Sequence, residues 1–576
     1  MAVKHSKQSE LISILSGPTQ MSSKGYPYIS NSSFQNFLSS IPHLFTNGSS
    51  ILNWLIELEK VCKDHGDDFT QEEFASLQRS SKVIKNIIYS SSITSPADLW
   101  LLRQIASTWS EIGISQKLLI GESFDLNSLV NLFGLDHKQF QTDVDFLHCR
   151  GILDYKDEHI SLSNRQESLA IMNLPVLGEE EKSVDWVKRL AQFLSGSELV
   201  EKDIDAVNTY LSLPSHPYKS KDWIANAYEV ELAYKILPIV LAMRVLNWTE
   251  KLIKNPSLDE LFKERKSSLL PLLIASGYSD TAGLITPYGA RVMQRGPGPF
   301  GIIQTYRKYM IAHTHSLQGK EHHYWVSRGE NVAASQDANK KTFRLANEAL
   351  DRFCKDHNHR IKVFIEHAVG HGEGIRQRFE RDGEESIQYF GADLEEAAIN
   401  AARARQQQGI LPQNMRFIKN ADIGHPHLVM EELKQGKFAS KGAIMMVGNG
   451  FHEVRQQNND KMVEIFRGYC QAGIILLFTE ESGLSNQDLL ETAWNTYHAS
   501  FRYVHEISGQ GLRPSIDKDD NDIYSWHKCA SLAGYAVLAE YCSKTRSIFP
   551  HPKKDGYNPS ISVNYFCVPA DLFPDL

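Results

Sequence analysis

The sequence has few cysteines, and no two of them have the spacing of a metal-binding pair. Its 7 cysteines are an odd number, and no CxxC motif occurs in the 576 residues. A disulfide framework and a thiolate zinc site are therefore both excluded. Scattered single thiols of this kind are typical of a protein from a reducing compartment.

A long apolar run is also missing. The most apolar stretch, Ile236–Met243, contains Pro238 and lies between Lys235 and Arg244, so it is too short to cross a bilayer. The first residues, MAVKHSKQSELISILSG, lack the uninterrupted apolar segment of a signal peptide. We therefore expect a cytoplasmic protein with no membrane span.

The sequence has no excess of positive charge. Its 61 Lys and Arg residues are outnumbered by 69 Asp and Glu residues, which gives a net charge of −8. Such a chain has no general attraction to phosphate backbones, so nucleic acid is not an expected partner. Hydrophobic residues make up 42% of the chain, which is enough for several folded domains and excludes a disordered or fibrous protein.

The N-terminal half is predicted to be mainly helical. Residues 1–50 are rich in Ser, Gly, Pro and Asn and predict a loosely ordered lead-in, whereas residues 51–255 carry apolar residues at helical spacing. Residues 115–163 show helices followed by a two-stranded ribbon, the pattern of a winged helix. A weaker winged-helix-like segment and a connector follow at 256–326, where the GPGPFG motif at 296–301 predicts a rigid loop.

A winged helix raises the hypothesis of DNA binding. The candidate recognition helix carries Asp136, Asp143 and Asp145 against Lys138 and Arg150, so it has no basic face toward phosphates. We therefore favour a lid or a dimerisation module, which would serve a homodimer.

Residues 327–576 predict an α/β domain with a Rossmann-like fold. Five apolar strands alternate with helices in this region, as in a layered sheet with helices on both faces. The strands are predicted at 361–369, in a run ending at Asp393, in a run ending at Asp422, at 442–450 and at 472–482.

The first two strands carry the elements of a nucleotide site. A glycine-rich turn, GHGEG, follows the first strand and lets the backbone approach a ligand, while the acid Asp393 at the end of the second strand can accept hydrogen bonds from ribose hydroxyls. Asp422 and Ile423 could hold an adenine amino group and cover one face of the ring. Glycine at every second position suits a single nucleoside without a pyrophosphate, which favours S-adenosylmethionine over NAD.

Over roughly 330–576, these motifs resemble those of the class I S-adenosylmethionine-dependent methyltransferases. The resemblance implies S-adenosylmethionine as the cofactor. The candidate cofactor-binding residues are Glu366, Gly370, Gly372, Gly374, Asp393, Leu394, Asp422, Ile423 and Asn449. In one respect the chain departs from the family, which usually has an acid two residues before the first glycine. This chain has Ala368 there and Glu366 two positions earlier.

Polar residues concentrate after the fourth and fifth strands. The candidate catalytic residues are His452, Glu453 and His498, and the last of these is followed by His505 and Gln510. On one helix His498 and His505 would lie about 10 Å apart along the axis, so only one of them could join His452 and Gln510 at a metal ion. Two imidazoles and one oxygen donor resemble a non-haem iron arrangement. A metal-free role for His452, as a general base, is equally open.

The helical N-terminal half, the FHE motif and the HE…GQG stretch are together similar to the metal-dependent carbon methyltransferase domains of polyketide synthase loading modules of the apratoxin type. That resemblance implies one iron or manganese ion at His452, at His498 or His505, and at Gln510. It also implies methyl transfer to an activated carbon of a malonyl-type acyl group on a carrier protein. The alternatives are a metal-free O-methyltransferase of a small metabolite and a non-catalytic winged-helix sensor of S-adenosylmethionine. The dense His, Glu and Gln set argues against the sensor.

Overall fold

The computed structural model describes residues 19–21, 27–29, 44–64, 67, 70–163, 165–215, 225–262, 265–320, 328–486, 488–489, 498–514, 523–547 and 560–572. These residues form two compact units. The first comprises the described residues up to 320 and those between 485 and 504, and the second comprises 328–484, 505–547 and 560–572. None of the helices in these ranges is long and apolar enough to cross a membrane. Most of the predicted lead-in, 1–50, lies outside the described residues.

Helices dominate the first unit, as the spacing of its apolar residues predicts. They are α1 (Leu44–Asp64), α2 (Gln71–Ile112), α3 (Ile114–Leu118), α4 (Leu126–Phe133), α5 (His137–Cys149), α6 (Gln166–Met172), α7 (Glu179–Ser183), α8 (Trp186–Ser195), α9 (Glu201–Tyr210), α10 (Ala227–Val245), α11 (Trp248–Lys254), α12 (Asp259–Phe262), α13 (Lys266–Ala275), α14 (Pro287–Arg295), α15 (Pro297–Thr305), α16 (Arg307–Ile311) and α17 (His313–Leu317). The apolar run Ile236–Met243 is buried within α10, so it forms part of the unit's core.

Short antiparallel strands complete the first unit. They are β1 (Thr19–Met21), β2 (Pro27–Ile29), β3 (Phe124–Asp125), β4 (Leu153–Lys156) and β5 (His159–Leu162). The first two pair with each other, and the other three form a sheet in the order β3-β5-β4. Asp157 and Glu158 connect β4 to β5 at φ 50° and 61°, the left-handed conformation of a tight hairpin. The predicted ribbon is thus present, while its interpretation as the wing of a winged helix remains a prediction.

The loop predicted at GPGPFG is wrong, because these residues join two helices. Gly296 follows α14, and Pro297 is the first residue of α15, where the N–H that proline lacks would have no helical partner. A Cβ on Gly296 would lie 2.7 Å from the carbonyl oxygen of Val292 in α14 and 3.1 Å from the ring of Phe300 in α15, so the junction leaves little room for a side chain. Glycine and proline therefore mark a break between helices at this position.

One acid of the candidate recognition helix is buried inside the first unit. Asp143, on α5, is fully buried and its Oδ2 lies 2.7 Å from Trp109 Nε1 and 2.8 Å from His313 Nε2. Its Oδ1 accepts a hydrogen bond of 2.8 Å from the Tyr503 hydroxyl. Burial and the neighbouring carboxylate raise the pKa of Tyr503, so this hydroxyl stays protonated and donates. The three partners compensate the cost of burying Asp143.

The second unit is built on a mixed sheet. Its strands are β6 (Val363–His367), β7 (Gln388–Asp393), β8 (Arg416–Lys419), β9 (Ile444–Gly448), β10 (Ile475–Glu481), β11 (Tyr535–Val537), β12 (Ser543–Ser547) and β13 (Ser560–Pro569). The order is β11-β13-β10-β9-β6-β7-β8, with β12 paired to β13. Strands β6 to β10 are parallel to one another, and β13 is antiparallel to both β10 and β11.

Helices cover both faces of this sheet. They are α18 (Arg328–Asp356), α19 (Glu373–Asp382), α20 (Glu396–Gln407), α21 (Pro426–Gln435), α22 (Asn459–Gln471) and α24 (Trp526–Leu532). A further helix, α23 (His498–Ile507), begins in the first unit and ends in the second. Side chains of α18, α19 and α20 share one core with the sheet, and those of α21, α22 and α24 share the other. Because both faces are covered, strands β6, β9 and β10 are buried over most of their length and begin with runs of apolar residues.

The predicted parallel strands are present, but the third ends earlier than expected. It was predicted to run to Asp422, whereas β8 ends at Lys419, because Asn420 adopts φ 53° and turns the chain out of the sheet. Asp422 therefore lies in the loop that follows.

The sheet has a topological switch point between two of its central strands. Strand β6 pairs with β7 on one side and with β9 on the other, so successive connections leave it in opposite directions. In open α/β sheets a crevice forms at such a point, beyond the carboxyl ends of the strands, and ligands bind there. The loops after β6 and β9 are therefore the part of the unit in which a site is expected.

We predict that Gly289→Ala destabilises the first unit by at least about 2 kcal/mol. A Cβ at this position would lie 2.1 Å from the backbone oxygen of Tyr278, and a buried backbone cannot move aside as a flexible side chain can. Gly178→Ala is the matched control, because a Cβ there meets nothing within 4 Å and its φ of −63° is allowed for alanine. Chemical denaturation of both variants checks the prediction, and equal midpoints would contradict it.

Candidate functional site

The glycine-rich turn begins two residues before its first glycine. Ala368 adopts φ 56°, and Gly370 and Gly372 adopt φ 50° and 74°, so the left-handed conformations recur at every second residue. Ala368 thus takes the first position of the turn, and Glu366 stands two residues before it. The departure from the family pattern noted in the sequence is accounted for by alanine at the first turn position.

Glu366 holds the turn against the helix that follows. Its carboxylate is 1% exposed and accepts hydrogen bonds from the backbone N–H groups of Gly374 (3.0 Å) and Ile375 (2.7 Å), at the N-terminus of α19. A Cβ on Gly374 would lie 3.1 Å from Glu366 Cδ and from Met446 Sδ. Gly374 therefore provides the space that this buried carboxylate needs.

Asp393 ends β7 beside the same turn. It is 3% exposed, its Oδ2 accepts a hydrogen bond of 3.2 Å from the N–H of Gly370, and its Oδ1 accepts one of 3.0 Å from the N–H of Glu395. Leu394, which follows, is half-buried. Because each carboxylate oxygen has a second lone pair, Asp393 can bind a ligand hydroxyl while it still orders the turn.

Asp422 is a more accessible acid in the loop after β8. Its side chain is 42% exposed, its Oδ1 accepts a hydrogen bond of 2.8 Å from the N–H of Gly424, and its Oδ2 lies 3.3 Å from His425 Nδ1. The neighbouring Ile423 is buried, and its carbonyl accepts a hydrogen bond of 3.0 Å from the Tyr469 hydroxyl. The loop thus presents a fixed carboxylate next to an apolar side chain.

Three loops meet at the carboxyl edge of the sheet. A Cβ on Gly450 would lie 3.2 Å from Ile423 Cδ1 and 3.5 Å from Ala368 Cβ, so the loops after β6, β8 and β9 are in contact. Asn449, at φ 55°, donates its backbone N–H to Thr479 at 2.9 Å and fixes the loop after β9 to the neighbouring strand. The sequence-predicted cofactor residues are therefore brought to one edge of the sheet.

The loop after β9 also carries a buried histidine–carboxylate pair. His452 Nδ1 lies 2.7 Å from Glu480 Oε2, and the side chains are 4% and 0% exposed. The other oxygen of Glu480 accepts a hydrogen bond of 2.6 Å from the N–H of Phe451. A carboxylate accepts only, so His452 donates through Nδ1 and keeps Nε2 as its basic nitrogen.

Two further predicted residues lie beside His452. The rings of His452 and His505 meet edge to face with centroids 5.0 Å apart, and His505 is fully buried. Glu453 Oε1 lies 3.9 Å from His452 Nε2, and its Oε2 accepts a hydrogen bond of 3.0 Å from Gln510 Nε2. The polar residues predicted after β9 and β10 therefore form one cluster. His498 is not included, because its side chain lies outside the described residues.

The cluster does not have the form of the predicted metal site. Among the residues that the structure describes, no group of three or more His, Cys, Asp or Glu side chains is placed to hold a metal ion. His452 binds Glu480 through Nδ1, which leaves its Nε2 available, whereas Gln510 donates its amide nitrogen to Glu453. The described residues therefore give no support to the predicted metal ion.

Two residues of the site were missed in the sequence. Glu480 lies inside the buried strand β10 next to Glu481, which is also buried. Nothing in the sequence distinguishes the role of one of these acids from that of the other. Arg405, on α20, donates a hydrogen bond of 2.8 Å to the carbonyl of His371 in the glycine turn. Burial and this guanidinium lower the pKa of His371, so the turn presents a neutral imidazole. Both contacts depend on tertiary structure and have no local sequence pattern.

No protein-family model matches the sequence, and no curated protein matches it. Solved structures that resemble the chain include the carbon methyltransferase CurJ, at 12% identity over 86% of this chain and 98% of the other, with a TM-score of 0.34. The CMeT domain of the citrinin polyketide synthase is 12% identical over 89% and 96%, with a TM-score of 0.34. An O-methyltransferase family 2 protein from Planctomyces limnophilus, in complex with apigenin, is 11% identical over 83% and 96%, with a TM-score of 0.35. All three are methyltransferases by name, and all three TM-scores are low.

We predict that Glu366→Gln makes the stability of the second unit less dependent on pH. Burial raises the pKa of Glu366 from 4.5 to about 8, although the N–H groups of Ile375 and Gly374 oppose the rise. The folded protein therefore keeps a proton that the unfolded chain releases, and this stabilisation is present below pH 4.5 and lost as the pH rises through about 8. Between these values the unfolding free energy of the wild type should fall by up to about 1.4 kcal/mol per pH unit more than that of the variant.

Urea denaturation at a series of pH values measures this difference. Glu464→Gln, at an exposed position on α22, is the control and should follow the wild type. Equal pH slopes for the wild type and Glu366→Gln would show that Glu366 does not titrate in this range.

Proposed function

We propose that this protein is an S-adenosylmethionine-dependent methyltransferase in which His452 acts as a general base. The observation that carries the proposal is the convergence of two groups at the switch point of the sheet. The glycine turn after β6 lies on one side, and the His452–Glu480 pair after β9 lies on the other. The contact of Gly450 with Ala368 and Ile423 brings the loops that carry these groups together.

The cofactor side of the crevice suits a cationic nucleoside. The turn at Ala368, Gly370 and Gly372 supports close approach of the backbone, with Gly374 and Leu394 beside it, and Asp393 offers lone pairs to ribose hydroxyls. Asp422 and Ile423 can meet the adenine amino group and ring face. The acids at this edge also favour a cationic sulfonium over an anionic pyrophosphate, because the carboxylates would repel the negative charge of the pyrophosphate.

The base side of the crevice suits removal of one proton. Glu480 fixes the orientation of His452 and stabilises the imidazolium that forms when Nε2 takes a proton from the acceptor. The acceptor atom then attacks the methyl carbon in line with the departing thioether. Alignment of the two reactants contributes much of the acceleration, since a sulfonium is already a good leaving group.

The favoured acceptor is an activated carbon of an acyl group, free or on a carrier protein. A hydroxyl of a small metabolite is the second candidate, and the His452–Glu480 pair supports it, because a positioned imidazole can deprotonate a hydroxyl without a Lewis acid. No step of the proposed reaction passes through iron or manganese. The helical first unit is proposed to serve as a lid or dimerisation module.

We predict that the protein binds S-adenosylmethionine with one site per chain, and that Asp393→Asn weakens binding at least about tenfold. A hydrogen bond from a hydroxyl to a charged carboxylate contributes about 1.5–3 kcal/mol, and the amide loses most of it. Isothermal titration calorimetry measures both affinities. Asp460→Asn, at an exposed position in the same unit, should bind as the wild type does. The absence of binding heat for the wild type would contradict the proposed function.

Methyl transfer should depend on the histidine–carboxylate pair. We expect His452→Ala to lower kcat by about 10²–10⁴ and Glu480→Gln by at least about tenfold, both with unchanged affinity for S-adenosylmethionine. Radiolabelled methyl transfer to a β-ketothioester of N-acetylcysteamine and to a catechol measures the rates. His427→Ala, at an exposed position on α21, is the control for loss of an imidazole. A fully active His452→Ala would exclude the general-base role.

Metal analysis of the same preparation tests the metal-dependent form of the reaction. Protein purified without chelators or added metal is expected to be active without stoichiometric iron or manganese. One ion per chain that is lost in His452→Ala would overturn the metal-free mechanism and favour the ligand set predicted from the sequence.

A further inference from the structure

The proposed reaction leaves one proton on the base in every cycle. The acceptor X–H gives its proton to His452 Nε2, the new X–CH3 bond forms as the S–CH3 bond breaks, and the thioether leaves without taking the proton. His452 must therefore lose this proton to solvent before it can act again. The side chain of His452 is only 4% exposed, so the proton needs a route.

The route does not lead through the carboxylate behind the imidazole. Glu480 is 0% exposed, and its two oxygens accept hydrogen bonds from the N–H of Phe451 and from His452 Nδ1. His505, whose ring meets the edge of His452, is also fully buried. Neither residue reaches solvent, so a proton passed to either would remain inside the protein.

Glu453 lies on the opposite side of the imidazole, at the basic nitrogen. Its Oε1 is 3.9 Å from His452 Nε2, and its side chain is 13% exposed, against 4% for His452. A separation of 3.9 Å is closed to hydrogen-bond distance by a small rotation of the carboxylate. Glu453 is therefore the carboxylate of the cluster that faces both the protonated nitrogen and solvent.

Gln510 fixes the direction of this carboxylate. Its Nε2 donates a hydrogen bond of 3.0 Å to Glu453 Oε2, which leaves Oε1 toward His452. Gln510 is itself 4% exposed, and its backbone N–H donates to the carbonyl of His505 at 2.9 Å. The groups that face the imidazole are thus Glu480, Glu453 and His505, with Gln510 behind Glu453.

We propose that Glu453 relays the proton from His452 to solvent after each methyl transfer, and that Gln510 positions it for this step. The inference rests on the proposed function. Protonated Nε2 transfers its proton to Glu453 Oε1, and the carboxylic acid then passes it to water, so that His452 returns to its neutral form. Gln510, predicted from the sequence as a metal ligand, acts here as a hydrogen-bond donor to a carboxylate.

Rapid-quench kinetics separate this role from a structural one. Glu453→Gln has nearly the same shape but cannot accept a proton, so its first turnover, before any proton from the reaction has been left on His452, should keep the wild-type rate. Its later turnovers should slow at least about tenfold, which gives a burst of one methylated product per site. The probe is whichever of the β-ketothioester and the catechol the wild type methylates.

Added buffer base provides the second readout. Imidazole buffer should restore the steady-state rate of Glu453→Gln as its concentration rises, because a diffusible base can take the proton directly, and should leave the wild type unchanged. Glu453→Asp should retain part of the steady-state rate. Glu464→Gln, on the exposed face of α22, is the matched control and should show no burst.

The outcomes distinguish the relay from the function on which it rests. If Glu453→Gln slows the first turnover as much as the later ones, or if it slows neither, the relay is wrong while the methyltransferase stands. If imidazole fails to restore a slowed steady state, the relay is likewise wrong. If the wild type transfers no methyl group to either probe, the proposed reaction and the relay fall together.

Discussion

The hydrogen bonds between Glu366 and the start of helix α19 set the geometry on which the candidate site depends. The carboxyl group accepts hydrogen bonds from two backbone N–H groups at a helix N-terminus, and these bonds partly oppose the rise in its pKa that burial causes. Because the acid belongs to the central strand β6, these bonds fix the turn between strand and helix and leave little freedom to the residues between them. Asp393 then ties the middle of the turn to the next strand through Gly370. The turn is held from both sides before any ligand arrives.

A buried carboxylate performs a similar task on the other side of the switch point. Glu480 lies in a strand, has no exposed surface, and binds the N–H of Phe451 and the imidazole of His452. Glu366 thus orders the turn that follows its own strand, and Glu480 orders the loop that follows the neighbouring strand β9. Both side chains are buried. The accessible acids, Asp422 and Glu453, lie farther out in the loops. The acids buried in the strands therefore order the loops of the site, and the acids that are accessible in the loops can face ligands.

The sequence predicted the parts of this arrangement that depend on local pattern. The buried strands β6, β9 and β10 are apolar because both sheet faces are covered, and the acid at the end of β7 could be assigned from its distance to the glycine turn. The end of β8 was misplaced, because the left-handed conformation of Asn420 has no strong sequence signal. Glu480 was missed, because the sequence does not show that this acid within a strand contacts His452 in the folded protein. The helix that begins at Pro297 was predicted as a loop, because Gly and Pro are typical of loops. Here they lie where one helix ends and the next begins.

The contacts around Gln510 show why a list of polar residues does not define chemistry. His452, His505 and Gln510 come together as their positions after the strands indicate, and by residue type alone they could ligate a metal. The role that these side chains can take depends on the carboxylates that contact them. Glu480 accepts a hydrogen bond from Nδ1 of His452, and Glu453 accepts one from the amide of Gln510, so the imidazole lies between two carboxylates, as the proposed base requires. An imidazole between two carboxylates is suited to gaining a proton and to passing it on, because the charged form is stabilised on one side and can be discharged on the other.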